Sequence, residues 1–291
     1  MARRAPETCA GIEGKRLQEA VAVAVPAAVR AAISVRDLSK NYGGGSDAIV
    51  ALRDIDFDVG EGEFLSIVGP SGCGKSTLLK ILAGLMPASG GEALLNGSPI
   101  ESPRRDIGMV FQSPVLFPWR SVIDNALLPV DVQQLGRERM VERAKTLISL
   151  VGLSGFERRY PWELSGGMQQ RVALVRALVH DPALLLMDEP FGALDALTRE
   201  SMNVELQRIW LDRRKTVVFV THSTSEAVFL ADRVMVMTAR PGRIGDMLKI
   251  DLPRPRSLED HALVDQAKEV LAVLQGVSGP ETREAVYGES R

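Results

Sequence analysis

The run GEFLSIVGPSGCGKSTLLKIL, residues 62–82, decides the fold. Its first half, around Phe64 to Val68, is a short apolar stretch of strand type. From Lys75 the leucines at Leu78, Leu79, Leu82 and Leu85 keep helical spacing, with a stop expected at Pro87. Between the two stands Gly69-x-x-x-x-Gly74-Lys75-Ser76, in the strand–loop–helix context that a phosphate-binding loop requires. Glycines let backbone N–H groups turn toward β- and γ-phosphates, and the helix N-terminus adds positive potential. Gly69, Pro70, Ser71, Gly72, Cys73, Gly74, Lys75, Ser76 and Thr77 are therefore the candidate cradle for ATP. Lys75 would neutralise phosphate charge and the Ser76 hydroxyl would ligate Mg²⁺. Cys73, just ahead of the helix N-terminus, is expected to have a depressed pKa and to react with thiol reagents.

Working outward, ISVRDLSKNY and IVALRDIDFDV upstream, and GEALLNG and RRDIGMVFQ downstream, read as strands. From Pro114 the texture changes. GRERMVERAKTLISLVGL places Met140, Ala144, Leu147, Ile148 and Val151 on one face of an amphipathic helix. A second helix opens at Ser165-Gly166-Gly167, carries Met168, Val172, Val175 and Val179 on its apolar stripe, and ends at Asp181-Pro182. This block reads as a helical insertion in a strand-rich core. ALLLMDEP and KTVVFVTH then give continuous apolar runs, the pattern of parallel strands covered on both faces, with a crossover helix between them. The tail after Asp251 is rich in Pro and Arg and offers one helix near Leu258 to Leu274.

Asp188 and Glu189 end the strand LLLMD. If that strand neighbours the phosphate loop, Asp188 is placed for the Mg²⁺ shell and Glu189 to activate water as a general base. Gln112, after IGMVF, offers a neutral amide that can touch metal or water. His222 ends TVVFVTH at the same sheet end, where ligands bind in open α/β sheets. His180 and His261 have no such context and read as surface residues. The Ser165-Gly166-Gly167 turn is itself an anion site at a helix N-terminus, yet lies away from the phosphate loop. The resolution is a head-to-tail pair of chains, in which this turn faces the nucleotide held by the other copy.

With 291 residues, 45% hydrophobic and 25% charged, the chain can bury a large core; its formal net charge of −2 and 5% aromatic content give no sign of a nucleic-acid partner. Two cysteines, Cys9 and Cys73, make no disulfide framework. The run AVAVAVPAAV, residues 20–29, is too short to span a membrane. Glu7, Glu13 and Glu19 separate it from Arg3 and Arg4, against a signal peptide. Residues 1–32 are read as a poorly ordered extension.

GPSGCGKST, VFQ, LSGGMQQR, LLLMDEP, ALD and TH, in this order, resemble the ATP-binding subunits of ABC transporters over about Ile33 to Ile250. That resemblance implies an α/β P-loop NTPase (RecA-like) core with an antiparallel β subdomain and an inserted α-helical signature subdomain near residues 114–168. The ATPase domain would span 33–250, leaving 251–291 as a tail. It also implies that Tyr42 stacks on adenine and that Ser165, Gly166, Gly167, Met168 and Gln169 contact the partner's ATP. Asp195 would lie at the dimer interface, and His222 would contact the γ-phosphate. No hydrolytic position departs from the pattern, so an active ATPase is expected. LFPWRSVIDN, LSGGMQQR and ARPGRI together are similar to the nitrate/sulfonate/taurine group of bacterial importers. In that group Phe117, Pro118, Trp119 and Arg120 would receive transmembrane permease subunits, with a solute-binding protein acting through them. The chain would then sit peripherally on the cytoplasmic face of the cell membrane. An exporter or lipid-transport cassette, or a soluble ABC ATPase, is the alternative. The missing second cassette and long heptad run weigh against the last.

Overall fold

The computed structural model describes residues 31–43 and 48–277. Most of the expected N-terminal extension, up to residue 30, lies outside them, as does the tail from residue 278. The strands are β1 (Ala31–Tyr42), β2 (Ile49–Gly60), β3 (Phe64–Val68), β4 (Gly90–Leu95), β5 (Ser98–Pro99), β6 (Ile107–Val110), β7 (Leu184–Asp188), β8 (Thr216–Val220), β9 (Arg233–Met237) and β10 (Ile244–Lys249). They form two sheets. An antiparallel one runs β2-β1-β4-β5, and a six-stranded one runs β10-β9-β3-β8-β7-β6. In the second, β6, β7, β8, β3 and β9 are mutually parallel and only β10 is antiparallel.

The continuous apolar runs have the cause inferred for them. β3, β7 and β8 are buried at every residue. The pleat sends Leu65, Ile67, Leu184, Leu186, Val218 and Val220 to one core, shared with α1 (Lys75–Leu82) and the antiparallel sheet. It sends Phe64, Val68, Leu185, Met187, Val217 and Phe219 to the other, shared with helices on the opposite side. Each fully buried side chain of this kind contributes about 1.5–3 kcal/mol, so both faces stabilise the sheet that carries the site.

The helices are α2 (Val122–Ala126), α3 (Leu128–Gln133), α4 (Arg137–Leu150), α5 (Gly166–Leu178), α6 (Ala196–Arg213), α7 (Thr224–Leu230) and α8 (His261–Val277). Ala144 and Ile148 of α4 are buried, while Met140 and Leu147 are half-covered. Leu127, Val130, Ala144 and Val179 make a small separate core for this helical region. α5 also places Val172, Leu174 and Val175 in the main one. The architecture is thus an α/β P-loop NTPase core with an antiparallel β subdomain and an inserted helical subdomain.

Two sequence expectations need correction. The helix after the phosphate loop ends at Leu82, short of Pro87, because Gly84 turns to φ +70° where a Cβ would meet the Ser102 carbonyl at 2.2 Å. His180 is not a surface residue. It follows the buried Val179, its ring nitrogens are shut from solvent, and burial pulls its pKa below the ordinary value. His261 is exposed, as expected.

Candidate active site

Parallel pairing puts the carboxyl ends of β3, β7 and β8 side by side, and the loops leaving them converge. The phosphate loop leaves β3. Gly74 closes it at φ +104°, a conformation that favours glycine, and a Cβ there would also lie 3.0 Å from the Ala51 backbone carbonyl. Lys75 is buried, and its Nζ donates to the carbonyls of Gly69 (2.8 Å) and Pro70 (3.0 Å). Those loop carbonyls occupy the ammonium that a phosphate would claim.

Ser76 Oγ donates to Asp188 Oδ1 at 3.0 Å. Burial raises the Asp188 pKa, aided by the Glu189 charge and opposed by Ser76. Glu189 follows Asp188 in a left-handed conformation, φ +46°, held by its N–H on the Val220 carbonyl at 2.9 Å. Such a conformation costs on the order of 1–3 kcal/mol for a non-glycine residue and persists only where neighbours over-determine it. His222 Nε2 lies 2.6 Å from Glu189 Oε1, and Gln112 Nε2 donates to Oε2 at 3.3 Å. Burial works to raise the Glu189 pKa, but the hydrogen bond and charge of His222 outweigh it and hold the carboxyl below its usual range. A carboxylate held in this direction favours its ionised form, the form that can accept a proton.

A cleft of about 510 Å³ joins these groups, lined by Tyr42, Ile49, Ala51, Ser71, Gly72, Gly74, Lys75, Ser76, Thr77, Gln112, Glu189, His222 and Arg240. Tyr42 Oη is 3.1 Å from Thr77 Oγ1. Ser76, Gln112 and Glu189 in this lining, with Asp188 held on Ser76, offer a hydroxyl, an amide and carboxylate oxygens, a set that fits a hard, oxygen-seeking cation.

Sequence reasoning missed Arg240 in this wall. Its Nε donates to the Gly72 carbonyl at 3.0 Å, while Gly242 two residues on donates to the Ala51 carbonyl at 3.0 Å. Thus the RPG turn that leaves β9 is fastened to the phosphate loop. The clue was ARPGRI itself, which carries two cations on a Pro-Gly turn beyond a buried strand.

Cys73 reverses its expectation. The thiol is 1% exposed, and burial pushes its pKa up, against the opposing effect of Lys75. Desolvation of a would-be thiolate outweighs the helix terminus.

The turn Ser165-Gly166-Gly167 stands elsewhere, with Met168, Gln169 and Asp195 likewise outside the cleft wall. Ser165 caps α5 by accepting from Met168 N–H at 3.3 Å, and nothing lies within 4 Å of a Cβ placed on Gly166. Gln169 Nε2 turns back to the Pro161 carbonyl at 2.9 Å. Asp195 caps α6 by accepting from Thr198 N–H at 3.0 Å.

From α5, Gln170 donates to the Phe111 carbonyl, and Arg176 to the carbonyls of Pro114 and Val115. These bonds fix the loop that runs from Gln112 to the docking candidates. There Phe117 and Trp119 stack at 5.1 Å, and Trp119 is 70% exposed. Pro118 is exposed and Arg120 pairs with Asp131 at 3.0 Å. The buried Asn125 clasps both the N–H and the carbonyl of Phe117.

A glycine-rich loop on a parallel sheet, a buried lysine and paired carboxylates at the end of β7, with β8 between that strand and β3, define a P-loop nucleotide hydrolase. The ABC transporter family profile matches residues 52–192. An uncharacterized ABC transporter ATP-binding protein of Methanocaldococcus jannaschii is 48% identical over 84% of this chain and 91% of its own. The aliphatic sulfonates import ATP-binding protein SsuB of Bacillus cereus is 41% identical over 82% of this chain and 94% of its own. The dimeric structure of an ATP-binding cassette in a post-hydrolysis state, bound to ADP and Pi, superposes with a TM-score of 0.66 at 31% identity. It covers 76% of this chain and all of that one. This chain belongs to the ABC transporter family as an ATP-binding subunit, and it is an ATPase.

Proposed function

We propose that the chain is the motor of a bacterial-type importer for sulfonates, taurine, nitrate or a related small solute. The likeness to the B. cereus sulfonate-import protein along 94% of that protein carries this reading. Among the described residues no helix is long and apolar enough to cross a membrane. The importer's span would therefore come from permease subunits seated on Phe117, Pro118, Trp119 and Arg120, a stacked, exposed surface braced from below by Asn125. The chain would act on the cytoplasmic face of the membrane, peripherally.

In this reading ATP fills the cleft with adenine against the Tyr42 ring and phosphates in the loop from Gly69 to Thr77. Lys75 exchanges its two loop carbonyls for phosphate oxygens. Ser76, Asp188 and Gln112 would hold Mg²⁺, which would supply positive charge against the phosphates. Glu189 accepts the proton of the attacking water, and His222 holds that carboxylate while facing the γ-phosphate. Two copies pair head-to-tail. Ser165, Gly166, Gly167, Met168 and Gln169 of one then meet the nucleotide of the other, with Asp195 at the seam. The open space over Gly166 and the exclusion of this turn from its own cleft support that pairing.

The test is purification of the tagged full chain from gently solubilised native membranes, with co-purifying chains identified by mass spectrometry. Recovery of a multi-span permease and stimulation of ATPase turnover by sulfonates with their binding protein is the expected result. Soluble partners alone would overturn the importer reading.

A further inference from the structure

His222 stands on a loop whose backbone is fixed from both sides. Thr221 Oγ1 accepts from Ser223 N–H at 3.1 Å and donates to Glu226 Oε2, so one hydroxyl brackets the His222 peptide. Ser223 in turn caps α7 by accepting from Glu226 N–H at 3.2 Å. Glu226 is 7% exposed, in a place where an apolar side chain would cost less, because a buried carboxylate must be paired to be tolerated. Its other oxygen, Oε1, lies 3.7 Å from Arg199 Nε. Arg199 Nη2 donates to the Leu194 carbonyl at 2.9 Å, immediately before Asp195. Burial pushes the Glu226 pKa up, while Thr221, Arg199 and Asn203 pull against it. One polar chain thus runs from the Leu194 carbonyl through Arg199, Glu226 and Thr221 to the loop of His222, which rests on Glu189.

We propose that Glu226 is a positioning residue for ATP hydrolysis: through Thr221 it sets the His222 loop, and through Arg199 it ties that setting to the 194–195 loop. The inference rests on the reading that His222 serves hydrolysis and that Asp195 lies at the seam between two copies. In the single chain Arg199 is already held by the Leu194 carbonyl and the imidazole already rests on Glu189; a shift of the 194–195 loop in the pair would take the counter-ion from Glu226 and the brace from the His222 loop. Asp195 caps α6 and Arg199 stands one turn on, so loop and cation move as one body.

The test uses steady-state ATPase assays on the full chain. Glu226→Gln keeps an acceptor for Thr221 and removes the charge; Arg199→Met removes the cation. Each is expected to lower kcat about tenfold with KM for ATP within about twofold, as coupling through packed side chains commonly gives. The double variant should be no slower than either single one, and Arg199→Lys should restore most of the rate. On a His222→Ala background, followed by single-turnover cleavage of radiolabelled ATP, Glu226→Gln should cost nothing further. A purely structural carboxylate would lower the melting temperature and leave kcat per folded molecule unchanged, and that result overturns the inference. So does a full repeat of the Glu226→Gln loss on the His222→Ala background. If His222→Ala itself turns over at the parental rate, the reading of the site falls first. If His222→Ala is slow and Glu226→Gln is not, only the positioning role falls.

Discussion

Replacing Glu189 with glutamine removes a charge and almost no volume, which isolates the chemistry from the packing. The carboxylate is the meeting point of His222 at 2.6 Å and Gln112 at 3.3 Å. A glutamine oxygen can still receive the His222 N–H. Its amide nitrogen then faces the Gln112 amide, donor against donor, until Gln112 turns over. The flip restores that bond, so the packing change costs at most one weak hydrogen bond at the cleft wall, about 1 kcal/mol. Loss of a general base costs far more: about 10²- to 10⁴-fold in rate, or roughly 3–5 kcal/mol of barrier. Binding should move the other way. The Glu189 charge adds to the burial that already raises the Asp188 pKa, so its removal eases ionisation of the carboxylate facing Ser76. Glu189→Gln should therefore hydrolyse ATP at least about a hundredfold more slowly, bind ATP as tightly as the parent or tighter, and accumulate as an ATP-dependent dimer. Phosphate release and size-exclusion chromatography with and without ATP read these outcomes directly. Turnover at the parental rate would refute the general-base role. An affinity loss matching the rate loss would mean that Glu189 serves binding instead.

Four further outcomes follow from the geometry. Ser165→Arg should abolish turnover while ATP affinity of the monomer, read by fluorescent-nucleotide titration, stays near parental. Arg240→Met should raise KM for ATP about 3- to 10-fold with kcat held, the signature of lost ground-state binding. Cys73, buried and with its pKa raised, should be alkylated at pH 8 at least roughly tenfold more slowly than an ordinary thiol; peptide mass spectrometry keeps it apart from Cys9. Asp106 is held down by Arg104 against burial, and at Asp131 and Asp181 burial is outweighed by Arg137 and Lys215, so all three sit below the ordinary aspartate value of 3.8 in the folded chain. Between those values and 3.8 the unfolded chain binds more protons, so their stabilisation is complete above that window and lost as pH falls through it. The melting temperature should drop on acidification below about pH 4 and stay nearly flat, from this cause, between pH 5 and 7.

The parts of this site written locally in the chain were legible in the sequence. A strand, a loop and a helix in 21 consecutive residues must lie together, so Gly69 to Thr77 could be assigned from spacing. The continuous apolar runs of β7 and β8 required a sheet covered on both faces, and their parallel pairing put Asp188, Glu189 and His222 at the same end of it. What stayed hidden depends on where a cation finds its acceptors. Arg176, Arg240 and Arg256 look alike in a sequence and invite a search for acidic partners. Here they bond backbone carbonyls: Arg176 those of Pro114 and Val115, Arg240 that of Gly72, and Arg256 those of Val228, Phe229 and Ala231 at the end of α7. Carbonyls carry no sequence label, so no pattern of charges could reveal these bonds. Burial, with the nearby Arg254 charge, pushes the Arg256 guanidinium down to about 10, still a cation at neutral pH and still able to close a helix end. Arg254 lies over one Trp210 ring at 4.3 Å and Arg214 over the same ring at 4.4 Å. The Pro/Arg-rich tail is therefore a clasp across α6 and α7. It holds the helices that bear Arg199 and Glu226, and so it sets the frame in which the His222 loop is braced.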